Sequence, residues 1–100
     1  MANPNTPYFI DWCHHNHIPV KPNTEVFFVN ETALLRPEFI INNNIFVDLI
    51  ERNQITDRYK EICQEFSMSF GTIILVPFDT LPNIGSVTKE QFESKYNIRF

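Results

Sequence analysis

Two carboxylates ten residues apart, Glu38 and Asp48, are the residues of this chain best placed to do chemistry. Each sits beside a short apolar segment, Phe39–Ile41 on one side and residues 45–49 on the other, and between those segments lies Asn42-Asn43-Asn44. Asparagine tolerates the positive φ that tight turns require, so the stretch reads as a β-hairpin. A turn centred on Asn43 pairs 41 with 45, 40 with 46 and 38 with 48. The two acids then face each other across the ladder with Cβ atoms roughly 5 Å apart. Carboxylates so placed repel unless a cation lies between them or one holds a proton. They share their face with Ile40, Phe46 and Ile50, and an apolar surround raises carboxyl pKa values further. The plainer alternative has both acids at strand ends, turned to solvent or to Arg36 and Arg52.

Other groups invite a chemical reading. Arg52, Arg58 and Lys60 carry the positive charge that phosphates would meet, or they form a solvated rim of local pairs. Cys13-His14-His15-Asn16-His17 has the composition of a metal cluster. On a helix it presents only two ligands to one side, and zinc needs three or four. Histidines also suit a helix C-terminus through its dipole. Trp12-Cys13 lacks the second cysteine of a redox motif, since Asn16 stands in its place.

The elements that hold these residues can be read from periodicity. Thr6-Pro7 has the form of a helix start, and Tyr8, Phe9, Trp12 and Cys13 form an apolar stripe on a helix ending near His17. Pro22-Asn23 predicts a turn and residues 26–29 a short strand. After the hairpin, Ile55, Tyr59, Ile62, Cys63, Phe66 and Phe70 recur at helical steps among charged residues. Thr56 is the expected cap of that helix and Gly71 its stop. Residues 72–76 predict a strand buried on both faces. Phe78 and Leu81 follow on a loop, either in the core or on a partner surface. Thr88 and Gln91 have the spacing of a capping box before a last short helix. The order α-β-β-β-α-β-α, with a strand–helix–strand unit from 45 to 76, predicts a small mixed sheet. An antiparallel hairpin adjoins a parallel pair joined by a right-handed crossover, and helices flank the sheet.

Composition bounds the rest. One hundred residues, 43% of them hydrophobic with ten Phe, suffice for one core and so one domain over 1–100. The polar start, residues 1–6, is expected to be flexible. A net charge of −4 argues against tight nucleic-acid binding by charge alone, although a metal would supply local positive charge. Two glycines leave no phosphate-cradling loop, and two cysteines leave no disulfide framework. With no signal-peptide pattern or spanning apolar run, the expectation is a cytoplasmic protein without a membrane partner.

The segment Pro37-Glu38-Phe39, a short polar turn and Ile45-Phe46-Val47-Asp48, followed by Asp57-Arg58 and Lys60 opening the next helix, resembles the PD-(D/E)xK nuclease superfamily. Within it the chain is most similar to phage junction-resolving endonucleases. The resemblance implies a restriction-endonuclease-like fold, in which Glu38 and Asp48 hold Mg²⁺ or Mn²⁺ and the metal activates a water against a phosphodiester. It implies branched or single-stranded DNA as substrate, contacted by Arg52, Arg58 and Lys60. Ile50 stands where those enzymes carry their catalytic lysine, and the first helix offers Asp11 where they carry glutamate. Lys60 is the candidate replacement for the lysine. The expectation is thus a nucleic-acid-associated protein with a degenerate active site. The alternative is a small viral or mobile-element accessory protein that acts by protein–protein contact, with a protein partner or a second copy of itself.

Overall fold

The computed structural model describes residues 3–100. The expected flexibility of residues 1–6 falls in part on Met1 and Ala2, which lie outside the described residues. From Asn3 onward the chain forms a turn: the Thr6 amide donates to the Asn3 carbonyl (3.1 Å), and the Asn5 side chain donates to the Phe78 carbonyl (3.0 Å).

Helix α1 spans Thr6–His15. Asn5, rather than Thr6, occupies its N-cap position and makes no side-chain capping bond, and Pro7 sits in the first turn where a missing amide does no harm. The helix ends two residues before His17, which takes a positive φ of 58° and turns the chain toward Pro19. Strand β1 (Val20–Pro22) occupies the place of the expected turn at Pro22-Asn23. It pairs antiparallel with β4 (Phe39–Ile41), and β4 pairs antiparallel with β5 (Ile45–Ile50).

The β4–β5 register is the one the asparagines dictate, with Ile41 opposite Ile45, Ile40 opposite Phe46 and Phe39 opposite Val47. Asn42 and Asn43 hold φ values of 52° and 62°, the left-handed pair that a tight hairpin turn needs. Helix α2 (Asp57–Ser69) follows, with the Thr56 hydroxyl accepting the Tyr59 amide at 3.1 Å. Gly71, at φ 129°, makes the reversal into β6 (Ile73–Pro77), which pairs parallel with β5. The sheet order is therefore β1-β4-β5-β6, mixed as expected.

Between β1 and β4 the chain leaves the sheet and returns. Strands β2 (Phe27–Asn30) and β3 (Ala33–Leu35) form a separate antiparallel ribbon. β2 lies one residue beyond the expected 26–29, and β3 has no counterpart in the sequence reading. Asn23, buried at the root of the excursion, closes it. Its amide donates to the Glu38 carbonyl (2.9 Å), and its side chain donates to the carbonyls of Glu25 and Pro37, each at 2.8 Å.

Two unequal cores flank the sheet. On one side Phe9, Trp12 and Cys13 of α1, Leu81 and Ile84, and Phe92 of α3 (Lys89–Tyr96) pack on Phe39, Ile41, Ile45, Val47, Leu49, Ile74 and Val76. Residues Phe78–Ser86, expected as a loop, wind into a 3₁₀ helix that buries Leu81 fully, and Phe78 is half-buried against the same core. The Thr88–Gln91 capping box that starts α3 is complete (3.1 and 2.9 Å). On the other side α2 and the ribbon cover the sheet through Leu35, Cys63 and Phe66, with Phe27 and Phe46 set edge-on to the Phe66 ring at 5.0 and 5.1 Å. This cover is incomplete. Ile73 and Leu75 stay half-exposed, so β6 is sealed on one face only and not on both.

Candidate functional site

Strand parity decides which side chains meet. From the β4–β5 register, Ile40, Phe46 and Asp48 point toward the α2 side, while Glu38 sits at a bend just before β4, outside the paired residues. Beyond Phe39 the ladder ends with the Glu38 amide donating to the Val47 carbonyl at 2.9 Å. Glu38 is exposed at this margin and Asp48 is half-buried. The two carboxylates lie close enough for the Glu38 charge to act on Asp48.

Asp48 is held by Tyr59, whose hydroxyl donates to Asp48 Oδ2. Burial pushes the Asp48 carboxyl up from its ordinary range; the Tyr59 hydrogen bond opposes this and Glu38 adds to it. The same burial, with the bond to Asp48, pushes the Tyr59 phenol well above its usual value. One helical turn on, the Cys63 thiol is pushed up to about 12 by burial and by the Asp48 charge, so it is no nucleophile at neutral pH. Asp48, Leu49, Ile50, Asn53, Gln54, Thr56 and Tyr59 line an open cleft of about 620 Å³ at the start of α2.

The cations do not gather at this cleft. Arg52 makes a two-pronged bond to Asp79 (2.7 and 2.9 Å), which raises the guanidinium pKa and lowers that of Asp79. Arg58 pairs with Glu61 at 3.6 Å within its own helix. Lys60 follows Tyr59 but lies about 100° round the helix. It lines a separate groove of about 180 Å³ with Cys63, Gln64, Ser67, Ile73 and Leu75. Ile50 is buried in the sheet.

In type, two carboxylates suit Mg²⁺ or Mn²⁺, which accept one or two such groups and keep several waters. In number they are few: no group of three or more His, Cys, Asp or Glu able to hold a metal occurs among the described residues. The Cys13–His17 run does not converge either. Cys13 is buried in the core with its thiol pushed up to about 12, while His14, His15 and His17 are exposed. Both cysteines are free and buried.

Sequence reasoning set Glu38 opposite Asp48, and the Glu38 charge does act on Asp48; it missed Tyr59, the residue that holds Asp48. Its signal was a tyrosine in the apolar stripe of α2, whose hydroxyl needs a partner once half-buried. The sequence reading also missed the apolar outer face of the ribbon, where Phe28 (75% exposed) and Leu34 (59%) sit opposite each other with Val26 alongside. No family model, curated protein or solved structure matches the chain. No helix among the described residues is long and apolar enough to cross a membrane.

Proposed function

We propose that this chain is a protein-interaction module whose contact surface is the outer face of the β2–β3 ribbon. The observation that carries the reading is the exposed Phe28–Leu34 cross-strand pair, an apolar pair on a ribbon that nothing else among the described residues covers. Its occupant is a partner segment whose apolar strip is flanked by basic residues. Exposed Glu25, Glu31 and Glu65 lie around the ribbon against Arg36, which has no ion pair among the described residues, and Arg58, which bonds Thr32 but is paired with Glu61; the whole chain carries −4. That balance disfavours a second copy and favours a cationic partner. Synthetic strands with a valine/leucine strip and lysine flanks are the probes. They bind the chain, bind less well as salt rises, and lose binding to Phe28→Ser or Leu34→Ser. Equal binding of strands with glutamate flanks would overturn the assignment of the occupant. So would a concentration-dependent dimer, seen by light scattering, that the same substitutions abolish.

A second reading is favoured by the nearness of Glu38 to Asp48. It takes the mixed sheet as restriction-endonuclease-like and the pair as the remnant of a Mg²⁺ or Mn²⁺ site acting on branched or single-stranded DNA. Weak metal-dependent nicking, lost in both Glu38→Ala and Asp48→Ala, is its expected outcome. Intact substrate with either metal, or nicking that survives both substitutions, removes it. The buried Ile50 and the separate groove of Lys60 place this reading second.

A further inference from the structure

A pocket of about 380 Å³ lies between α1 and the 3₁₀ segment, on the side of the sheet away from Asp48 and the ribbon. Tyr8, Asp11, Trp12 and His15 form one wall; Pro82, Ile84 and Gly85 form the other. The α1 residues lie at steps of three and four, so they share one face of the helix.

The wall is rigid where it is aromatic. Trp12 is 4% exposed, its indole N–H donates to the Val87 carbonyl at 2.9 Å, and the Phe92 ring backs it at 4.6 Å. Tyr8 stands beside it 48% exposed, outside the packing that absorbs Phe9, Trp12 and Cys13. Asp11 and His15 are both exposed, and neither makes a side-chain hydrogen bond or ion pair among the described residues. Four residues apart on a helix, they offer polar tips from Cβ atoms roughly 5–6 Å apart.

The opposite wall has free space at Gly85. A Cβ there would meet nothing within 4 Å. Neither crowding nor a left-handed backbone requires glycine at this position, so a larger side chain can be placed in the pocket wall there.

We infer that this pocket binds a nucleoside: a planar heterocycle stacked against Tyr8 and the Trp12 edge, whose polar rim meets Asp11 and His15. The volume falls at the small end of the range of about 300–1,000 Å³ for small-molecule sites. A purely apolar side chain would desolvate Asp11 and His15 without replacing their hydrogen bonds, which selects against it. A ring with an N–H donor for Asp11 and an acceptor for His15 satisfies both. Base-on-aromatic stacking supplies attraction that does not depend on a phosphate. The site is independent of the ribbon and of Glu38 and Asp48.

Trp12 is the only tryptophan, so its fluorescence reports this pocket directly. Adenosine, guanosine, cytidine and uridine are titrated separately, with excitation beyond their absorption. At least one quenches Trp12 saturably. Gly85→Leu, which fills the pocket, and Asp11→Asn, which weakens its acceptor, each reduce affinity at least tenfold while circular dichroism and Tm stay those of the native chain. Tyr8→Ala, at an exposed position, repeats the test if Gly85→Leu does not fold. Three results overturn the inference: no nucleoside alters the emission, the quench survives Gly85→Leu or Tyr8→Ala, or proline-rich peptides quench where nucleosides do not.

Discussion

At the scale of single residues, Asp48 is the group whose surroundings most alter its chemistry. Its carboxyl titrates above the ordinary 3.8 because burial outweighs the Tyr59 hydrogen bond and Glu38 adds repulsion. The folded chain therefore binds this proton more tightly than the unfolded chain. The resulting stability is fully present below pH 3.8 and is lost as pH rises through the native value. Asp48→Asn keeps an acceptor for Tyr59 and cannot titrate. Urea unfolding at a series of pH values should show that the variant lacks this decline; an identical slope in both proteins would contradict the assignment. Tyr59→Phe acts oppositely, removing the donor and leaving the carboxylate half-buried without it. It should lower stability at neutral pH by about 1–3 kcal/mol and raise the Asp48 pKa further, as read by carboxyl NMR titration. The hairpin signal was enough to bring Glu38 within reach of Asp48. It could not reveal that Arg52 would turn to Asp79, 27 positions away, since that pair depends on the packing of the 3₁₀ segment.

At the scale of elements, the parts legible in the sequence were those whose signals are local. Three asparagines specified the hairpin register, Thr88 with Gln91 announced α3, and the stripe from Tyr59 to Phe66 announced α2. Strands β1 and β3 escaped notice because three residues carry no period; each exists through its partner, β4 for one and β2 for the other. Phe66 is what fastens the ribbon to the body, with the rings of Phe27, Phe46 and Phe70 within 5.0 to 5.2 Å. Phe66→Ala should cost about 3–5 kcal/mol. Hydrogen exchange gives the sharper test, with amides of β2 and β3 losing protection before those of β4 and β5. Uniform loss would mean the ribbon and sheet open together. Thr88→Ala should cost about 0.5–2 kcal/mol through the lost cap, measured by thermal unfolding.

At the scale of the molecule, the two faces of the sheet are covered unequally. The larger core, between the sheet and α1, α3 and the 3₁₀ segment, contains most of the fully buried side chains. The smaller one is half-open, and its outer layer carries the exposed Phe28, Leu34 and Met68. Replacing Phe28 and Leu34 together by serine should change unfolding free energy by no more than about 1 kcal/mol. The same change should sharply lower binding of a hydrophobic dye. A large loss of stability would show that these side chains belong to the fold rather than to its surface.

The Asn23 clasp makes the ribbon separable from the sheet. Because β1 and β4 are bonded neighbours and the clasp ties residue 23 to 37 and 38, the stretch between is an elaborated hairpin loop with its ends already fixed. Such a loop behaves as an exchangeable cassette, free to vary in length at a closure entropy that grows only slowly. The constraint on a replacement is small: apolar groups at positions equivalent to Phe27 and Leu35, to cap Phe66. The segment between residues 23 and 37 can therefore be exchanged while the four-stranded sheet remains as it is.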